Sequence, residues 1–212
     1  MKTNVTYLFD PLCGWCYGAS PAIQKLSEHP AIALTPIPTG LFADGHRKID
    51  AAFASYAWAN DVRIEKLTGQ KFNEDYRINV LGKLGSSFDS SAMTLALSAV
   101  QLTQADRLLQ ALIAFQKARY VQGIDTSDTE HVEKILRELG LMSAADRLAS
   151  RDNELLEMNT HQLAKAQNLM HALGIQGVPA IVMTDLDGSK LIDGRLLFGN
   201  FEELMAQLQI SH

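Results

Sequence analysis

The sequence predicts an α/β fold in which both ends of the chain build one sheet and a long helical block lies between them. Three observations predict it. Residues 4–38 read as strand, helix, strand. From Leu41 to Leu173 the apolar residues recur at helical spacing with almost no alternation. After Pro179 the strand-like runs return and a short helix closes the chain, giving β-α-β, helices, β-β-α. The chain has 212 residues, 47% hydrophobic and 20% charged, enough to bury a core as one large domain or one domain with an insertion. The order predicts an α/β unit made of residues 1–40 and 174–212, and a helical insertion over 41–173.

Val5-Thr6-Tyr7-Leu8-Phe9 is a short run of β formers and reads as a buried strand. Cys16 to about Ser27 reads as a helix with Ala19, Ala22, Ile23 and Leu26 on its apolar face. Pro21 lies inside it and should bend it or mark a first-turn boundary. A second strand is expected over Ile32–Pro38, parallel to the first through a right-handed crossover. In the helical block, Ala51–Trp58 and Asp61–Leu67 are short candidates, and Gly82 to Ser87 is a loop. Ser90 or Ser91 should cap a helix to about Leu102, and Ala105–Val121 should form another. Ser127-Asp128-Thr129-Glu130 has the form of a capping box, opening a helix that stops at Gly140. Ser143 to Leu173 is helical, with the polar residues 150–154 as a break and Gly174 as the stop. Ala180–Thr184 and Lys190–Leu197 are expected to pair around a turn at Asp185–Ser189, and Asn200 should cap the last helix, Phe201–Leu208.

The chemistry is concentrated in Cys13-Gly14-Trp15-Cys16, which holds the only two cysteines of the chain. The pair stands where the first strand passes into the first helix, the pattern of a thioredoxin-like redox motif. Residues i and i+3 share one face of a helical turn, so the two sulfurs can reach disulfide distance. The N–H groups and positive end of the helix favour a thiolate on the first cysteine, and the thiolate is the species that attacks disulfides. The second cysteine can then displace the mixed-disulfide partner. A zinc site is disfavoured, since two cysteines would have to recruit distant residues such as His29 or His46 without a second ligand pair. Two inert thiols, or a structural disulfide, are the bland alternative.

A second motif, Gly177-Val178-Pro179-Ala180, precedes the strand at 180–184. A proline is tolerated at the first residue of a strand. Together, Phe9-Asp10-Pro11-Leu12-Cys13-Gly14-Trp15-Cys16-Tyr17-Gly18-Ala19 and Gly174-Ile175-Gln176-Gly177-Val178-Pro179-Ala180 resemble the DsbA-like disulfide oxidoreductases of the thioredoxin superfamily, and in particular a bacterial branch of predicted protein-disulfide isomerases. The resemblance runs the length of the chain and implies a thioredoxin-like fold with an inserted helical domain. It implies that Cys13 is the exposed nucleophile, Cys16 the buried resolving thiol and Pro179 a cis-proline facing the dithiol. Val178 would offer backbone groups to a bound peptide. Apart from the resemblance, Trp15 and Tyr17 flank the dithiol and read equally as an apolar rim for a partner or as local packing. The chain departs from the superfamily at Tyr7, six before Cys13, where many relatives carry a buried acid. Asp10 is expected in the loop.

The implied function is thiol–disulfide exchange on protein or small-molecule disulfides, with no cofactor beyond the dithiol and with glutathione open as a co-substrate. Two other readings compete: a glutathione-dependent transferase or isomerase of the kappa-class type, whose members typically carry a serine at this site, and a non-enzymatic redox-switch module. A net charge of −5, with 19 scattered basic residues, offers no general attraction for nucleic acid or anionic membrane. No apolar run is long enough to span a bilayer and no signal peptide is visible, which points to the cytoplasm. The Gly40–Arg47 loop, with the cation pair His46 and Arg47, begins the insertion after the second strand; it reads as a surface loop, with a place near the active site as the lesser alternative. Oligomeric state is left open.

Overall fold

The computed structural model describes residues 2–45 and 47–210; His46, weighed above as a distant zinc ligand and as half of the cation pair, lies outside them. A four-stranded sheet runs in the order β2-β1-β3-β4, formed by β1 (Thr3–Phe9), β2 (Ile32–Pro38), β3 (Ala180–Asp185) and β4 (Gly188–Ile192). β1 and β2 are parallel, Tyr7 opposite Pro36, whereas β3 runs antiparallel to β1 with Ile181 opposite Tyr7. The prolines of β2 are tolerated because it is an edge strand. Alternate residues of the central strands feed two cores. Val5, Tyr7, Phe9, Ile181 and Met183 join one, while Leu8, Ala180 and Val182 face the other.

Helix α1 (Gly14–Glu28) starts at the dithiol and runs unbroken through Pro21. A proline has no N–H for the carbonyl four residues before it, here that of Tyr17. That oxygen accepts instead from Ser20 Oγ at 2.8 Å and from Gln70 Nε2 at 3.1 Å. The missing donor is thus replaced by two side chains, one of them from the helical block.

That block comprises α2 (Ala51–Thr68), α3 (Glu74–Tyr76), α4 (Ser91–Gln104), α5 (Leu108–Tyr120), α6 (Thr129–Glu138), α7 (Met142–Ser150) and α8 (Asn153–Ala172); α9 (Phe201–Gln207) closes the chain. The helices α4 to α7 share one continuous apolar cluster with β1, β3 and α1. Ala166, Leu169 and Met170 of α8 pack on the opposite side of the sheet.

Several local expectations are corrected. Residues 51–68 form one helix rather than two, capped by Asp50, whose Oδ1 accepts from Phe53 N at 2.7 Å. Asp61 does not restart the helix; it is buried within it. Ser90 occupies the cap position of α4, yet its hydroxyl donates to Asp10 instead of closing the helix end. Asp128, not Ser127, caps α6 by accepting from Glu130 N. A 3-10 turn, Ala105–Arg107, precedes α5. A π-helical turn, Arg77–Leu81, extends α3, in a segment where no element was expected. β4 ends at Ile192, because Asp193 turns back to accept from Arg195 N and opens a 3-10 turn over Gly194–Phe198. The glycine stops hold: Gly140 and Gly174 take φ of 74° and 64° after α6 and α8.

Candidate active site

Cys13 is the N-cap of α1. Its backbone is extended, and its Sγ accepts from Cys16 N at 3.4 Å. This is the capping arrangement usually filled by a serine or aspartate oxygen, here filled by sulfur. A hydrogen bond of this kind is stronger to a thiolate than to a thiol. In the thiol form Sγ donates a hydrogen bond to the carbonyl oxygen of Val178, 3.6 Å away. Cys16 sits one turn on, at 1% exposure, and burial pushes its thiol well up from the ordinary value, reinforced by Cys13 beside it. Under it Tyr7, fully enclosed, donates its Oη to the Cys16 carbonyl at 3.4 Å.

Asp10 holds the approach to the motif. It lies outside any strand, as expected, and is fully buried. Its Oδ1 accepts from Leu12 N at 2.8 Å. Its Oδ2 accepts from Phe42 N at 3.0 Å and from Ser90 Oγ at 2.9 Å. One carboxyl thereby ties together the turn before Cys13, the loop after β2 and the start of α4. Burial pushes its pKa up to about 6 against the pull of these three donors. The Leu12 carbonyl is held in turn by Tyr120 Oη, at 2.8 Å, from α5.

Cys13 is only 7% exposed. The expectation of an exposed nucleophile is corrected: the thiol sits in the wall of a cavity of about 430 Å³. Leu12, Cys13, Gly14 and Trp15 form one side of it. Leu41, Phe42, Gly45 and Arg47 come from the loop after β2, so that loop belongs to the site and is not merely surface. Phe53, Tyr56, Ala57, Asn60, Asp61 and Ile64 come from α2, and Tyr76, Phe88 and Tyr120 complete the lining. The Arg47 guanidinium lies 4.1 Å from the Phe53 ring centroid. Trp15 is half-buried and packs edge-on against Phe198, 5.2 Å between centroids.

The structure brings Cys13, Cys16, Trp15 and Val178 together. Val178 reaches Cys13 through its carbonyl, and its bond to Pro179 is cis. Pro179 lines a separate open groove with Gly174–Gly177 and Lys190–Gly194. Sequence reasoning missed Asp61, Tyr76, Arg119 and Tyr120. Their signal was faint, since Asp61 and Arg119 stand among other polar and charged residues of their helices.

Thiol–disulfide exchange is the chemistry that two such cysteines perform, one capping a helix at a cavity wall and the other sealed a turn behind it. The protein is a thiol–disulfide oxidoreductase. It belongs to the family of the DSBA-like thioredoxin domain, whose model matches residues 4–209. Among solved structures it is similar to the cytosolic disulfide reductase DsbM from Pseudomonas aeruginosa, at 28% identity over 98% of this chain and 100% of that one, with a TM-score of 0.85. The same protein with GSH aligns at 28% identity over the same shares, with a TM-score of 0.83. A candidate protein disulfide isomerase from Nitrosomonas europaea shares the fold, at 20% identity over 98% of each chain with a TM-score of 0.79. No curated protein matches the chain by sequence. No helix among the described residues is long and apolar enough to cross a membrane.

Proposed function

We propose that the protein is a cytosolic disulfide reductase in which Cys13 attacks, Cys16 resolves, and the cavity beside Cys13 takes a small thiol or disulfide of the glutathione type. The observation that carries this reading is the shape of the site. The nucleophile opens into a cavity of about 430 Å³, the size of a small-molecule pocket rather than of a flat protein-docking face. Its walls are mostly apolar, with Arg47, Asn60 and Asp61 as polar groups suited to a short peptide-like thiol. The likeness to the P. aeruginosa reductase, solved also with GSH, supports the same reading. Trp15 forms one wall. Val178 offers its carbonyl to the thiol or to the backbone of a bound substrate, and Pro179 follows it at the edge of the site. In this reading the unit of residues 1–40 and 174–212 carries the dithiol, and the helical unit of residues 41–173 supplies the outer wall of the cavity.

The test is steady-state reduction of a small disulfide with glutathione as donor, compared with reduction of insulin by a dithiol donor. The reading predicts saturable glutathione dependence that is lost in Cys13→Ser. Non-saturable dependence on glutathione together with efficient insulin turnover would place the substrate among proteins instead. Full activity in Cys16→Ser would point to a glutathione transferase-like reaction at Cys13 alone.

A further inference from the structure

The cavity contains a carboxyl group that holding the dithiol does not require. Asp61 projects from α2 and is 6% exposed. Its Oδ1 lies 2.6 Å from the point where a side-chain carbon on Gly14 would sit, so it packs directly on the residue that follows Cys13. Its Oδ2 accepts from Tyr76 Oη at 3.2 Å. No donor among the described residues reaches Oδ1, and Asp61 lines the same cavity as Cys13. Behind this pair lies Arg119, fully buried, its guanidinium 5.6 Å from the Tyr76 ring centroid and with no hydrogen-bond partner on any of its nitrogens among the described residues. Asp125 is its nearest acid, at 3.8 Å. The site thus pairs a carboxyl that lines the cavity of Cys13, packed on Gly14, with a fixed phenol and a buried cation that orient and polarise it.

We propose that Asp61 is the general acid of the exchange, delivering a proton to the sulfur that leaves when Cys13 attacks. The step is Cys13–S⁻ + R–S–S–R′ + Asp61–COOH → Cys13–S–S–R′ + R–SH + Asp61–COO⁻. A sulfur–sulfur bond forms to Cys13 and the bond between the two substrate sulfurs breaks. The electron pair of the broken bond goes to the departing sulfur, which takes the Asp61 proton, and water entering the open cavity restores that proton. In reverse, the carboxylate accepts the proton of an incoming thiol. Two features suit the group to this task. A neutral acid beside Cys13 does not oppose its thiolate, as a carboxylate would. Burial also pushes the Asp61 pKa up to about 7, against the lowering influence of Tyr76 and Arg119, so both forms are populated near neutrality. The titratable and charged groups around it are Cys13 at the start of α1, Arg47 in the loop after β2, Tyr56 on α2 itself, Tyr76 on α3, and Arg119 and Tyr120 on α5.

The proposal rests on Cys13 as nucleophile and not on the identity of the thiol donor. The experiment is single-turnover mixing of reduced protein with two disulfides: hydroxyethyl disulfide, whose leaving alkyl thiolate is strongly basic, and dithiobis(nitrobenzoate), whose leaving aryl thiolate needs no proton. Asp61→Asn keeps the size of the group and an acceptor for Tyr76. It should slow the alkyl disulfide about 100-fold more than the aryl one, the usual contribution of a positioned acid. In the wild type, the rate ratio of alkyl to aryl disulfide should fall as pH rises through about 7, and Asp61→Asn should flatten that ratio. Tyr76→Phe removes a bond that lowers the Asp61 pKa, so the midpoint of the ratio should move to higher pH, a readout that decides the matter even if Asp61→Asn folds poorly. Equal slowing of both disulfides, or a ratio with no inflection that Tyr76→Phe can move, overturns the proposal. Retained activity in Cys13→Ser would instead overturn the assignment of the nucleophile.

Discussion

Asp10 should make the stability of this protein depend on pH in a direction opposite to that of an ordinary ion-paired carboxylate. Its pKa is pushed up from 3.8 to about 6 because burial outweighs its three hydrogen bonds. The fold therefore binds the Asp10 proton more tightly than the unfolded chain does. This contribution to stability is fully present below about pH 4 and is lost as pH rises through about 6. The difference between 3.8 and about 6 corresponds to about 3 kcal/mol. Asp10→Asn removes the titration, and it also removes one of the two acceptor oxygens that serve Leu12, Phe42 and Ser90, a loss of about 1–3 kcal/mol by itself. The assay is urea unfolding of reduced wild type and Asp10→Asn at pH 4 and pH 7. Comparing the two proteins at each pH cancels every other titrating group, Asp61 included. Because the unfolded carboxyl is already more than half ionised at pH 4, the destabilisation caused by the substitution should be about 2 kcal/mol larger at pH 4 than at pH 7. The same destabilisation at both pH values, or a larger one at pH 7, would refute the reasoning and mean that the three donors dominate over burial.

Two further predictions concern the dithiol and the helix that carries it. Cys13→Ser should abolish exchange and Cys16→Ser should accumulate mixed disulfides on Cys13, because only Cys13 lines the cavity; mass spectrometry after reaction with an oxidised peptide reads both, and adducts on Cys16 alone would reverse the order. Gly18→Ala should gain about 1 kcal/mol of helix propensity yet destabilise the protein by about 1 kcal/mol net, since overpacking costs about 1–3 kcal/mol. Its new methyl would sit 2.7 Å from Ile64 Cγ2 on α2. Urea unfolding measures the net effect, and a stabilised Gly18→Ala would show that α1 and α2 are not packed this closely.

The elements that were legible in the sequence are those decided within a few residues. β1 and β2, the stops at Gly140 and Gly174 and the Asn200 cap depend on local composition and on glycine geometry. So does the dithiol turn, whose spacing is itself the signal. What escaped the sequence is decided by contacts between distant segments. Asp61 read as the start of a second short helix because its partners lie elsewhere; Tyr76 and the cavity receive it in the middle of α2. Ser90 looked like a cap because Asp10, 80 residues earlier, was not visible as its partner. Tyr120 carried no sign that its hydroxyl would hold the Leu12 carbonyl across a separation of 108 residues. The loop after β2 was placed near the site only by its position after the second strand, because nothing in its own composition reveals that α2 and Phe88 fold against it.

Pro21 gives α1 an imperfection that works as a receptor. Had the residue been alanine, its amide would have claimed the Tyr17 carbonyl, and the helix would have been self-sufficient at that turn. The proline leaves that oxygen to side chains: Ser20 of the same helix donates to it, and Gln70, just beyond the end of α2, donates both to it and, at 2.7 Å, to the Ser20 hydroxyl. The segment that leads on to Phe72 and Tyr76 is thereby latched to α1 one turn beyond the dithiol. The register between the redox helix and the wall of its cavity is thus written into α1 by the removal of a single hydrogen-bond donor.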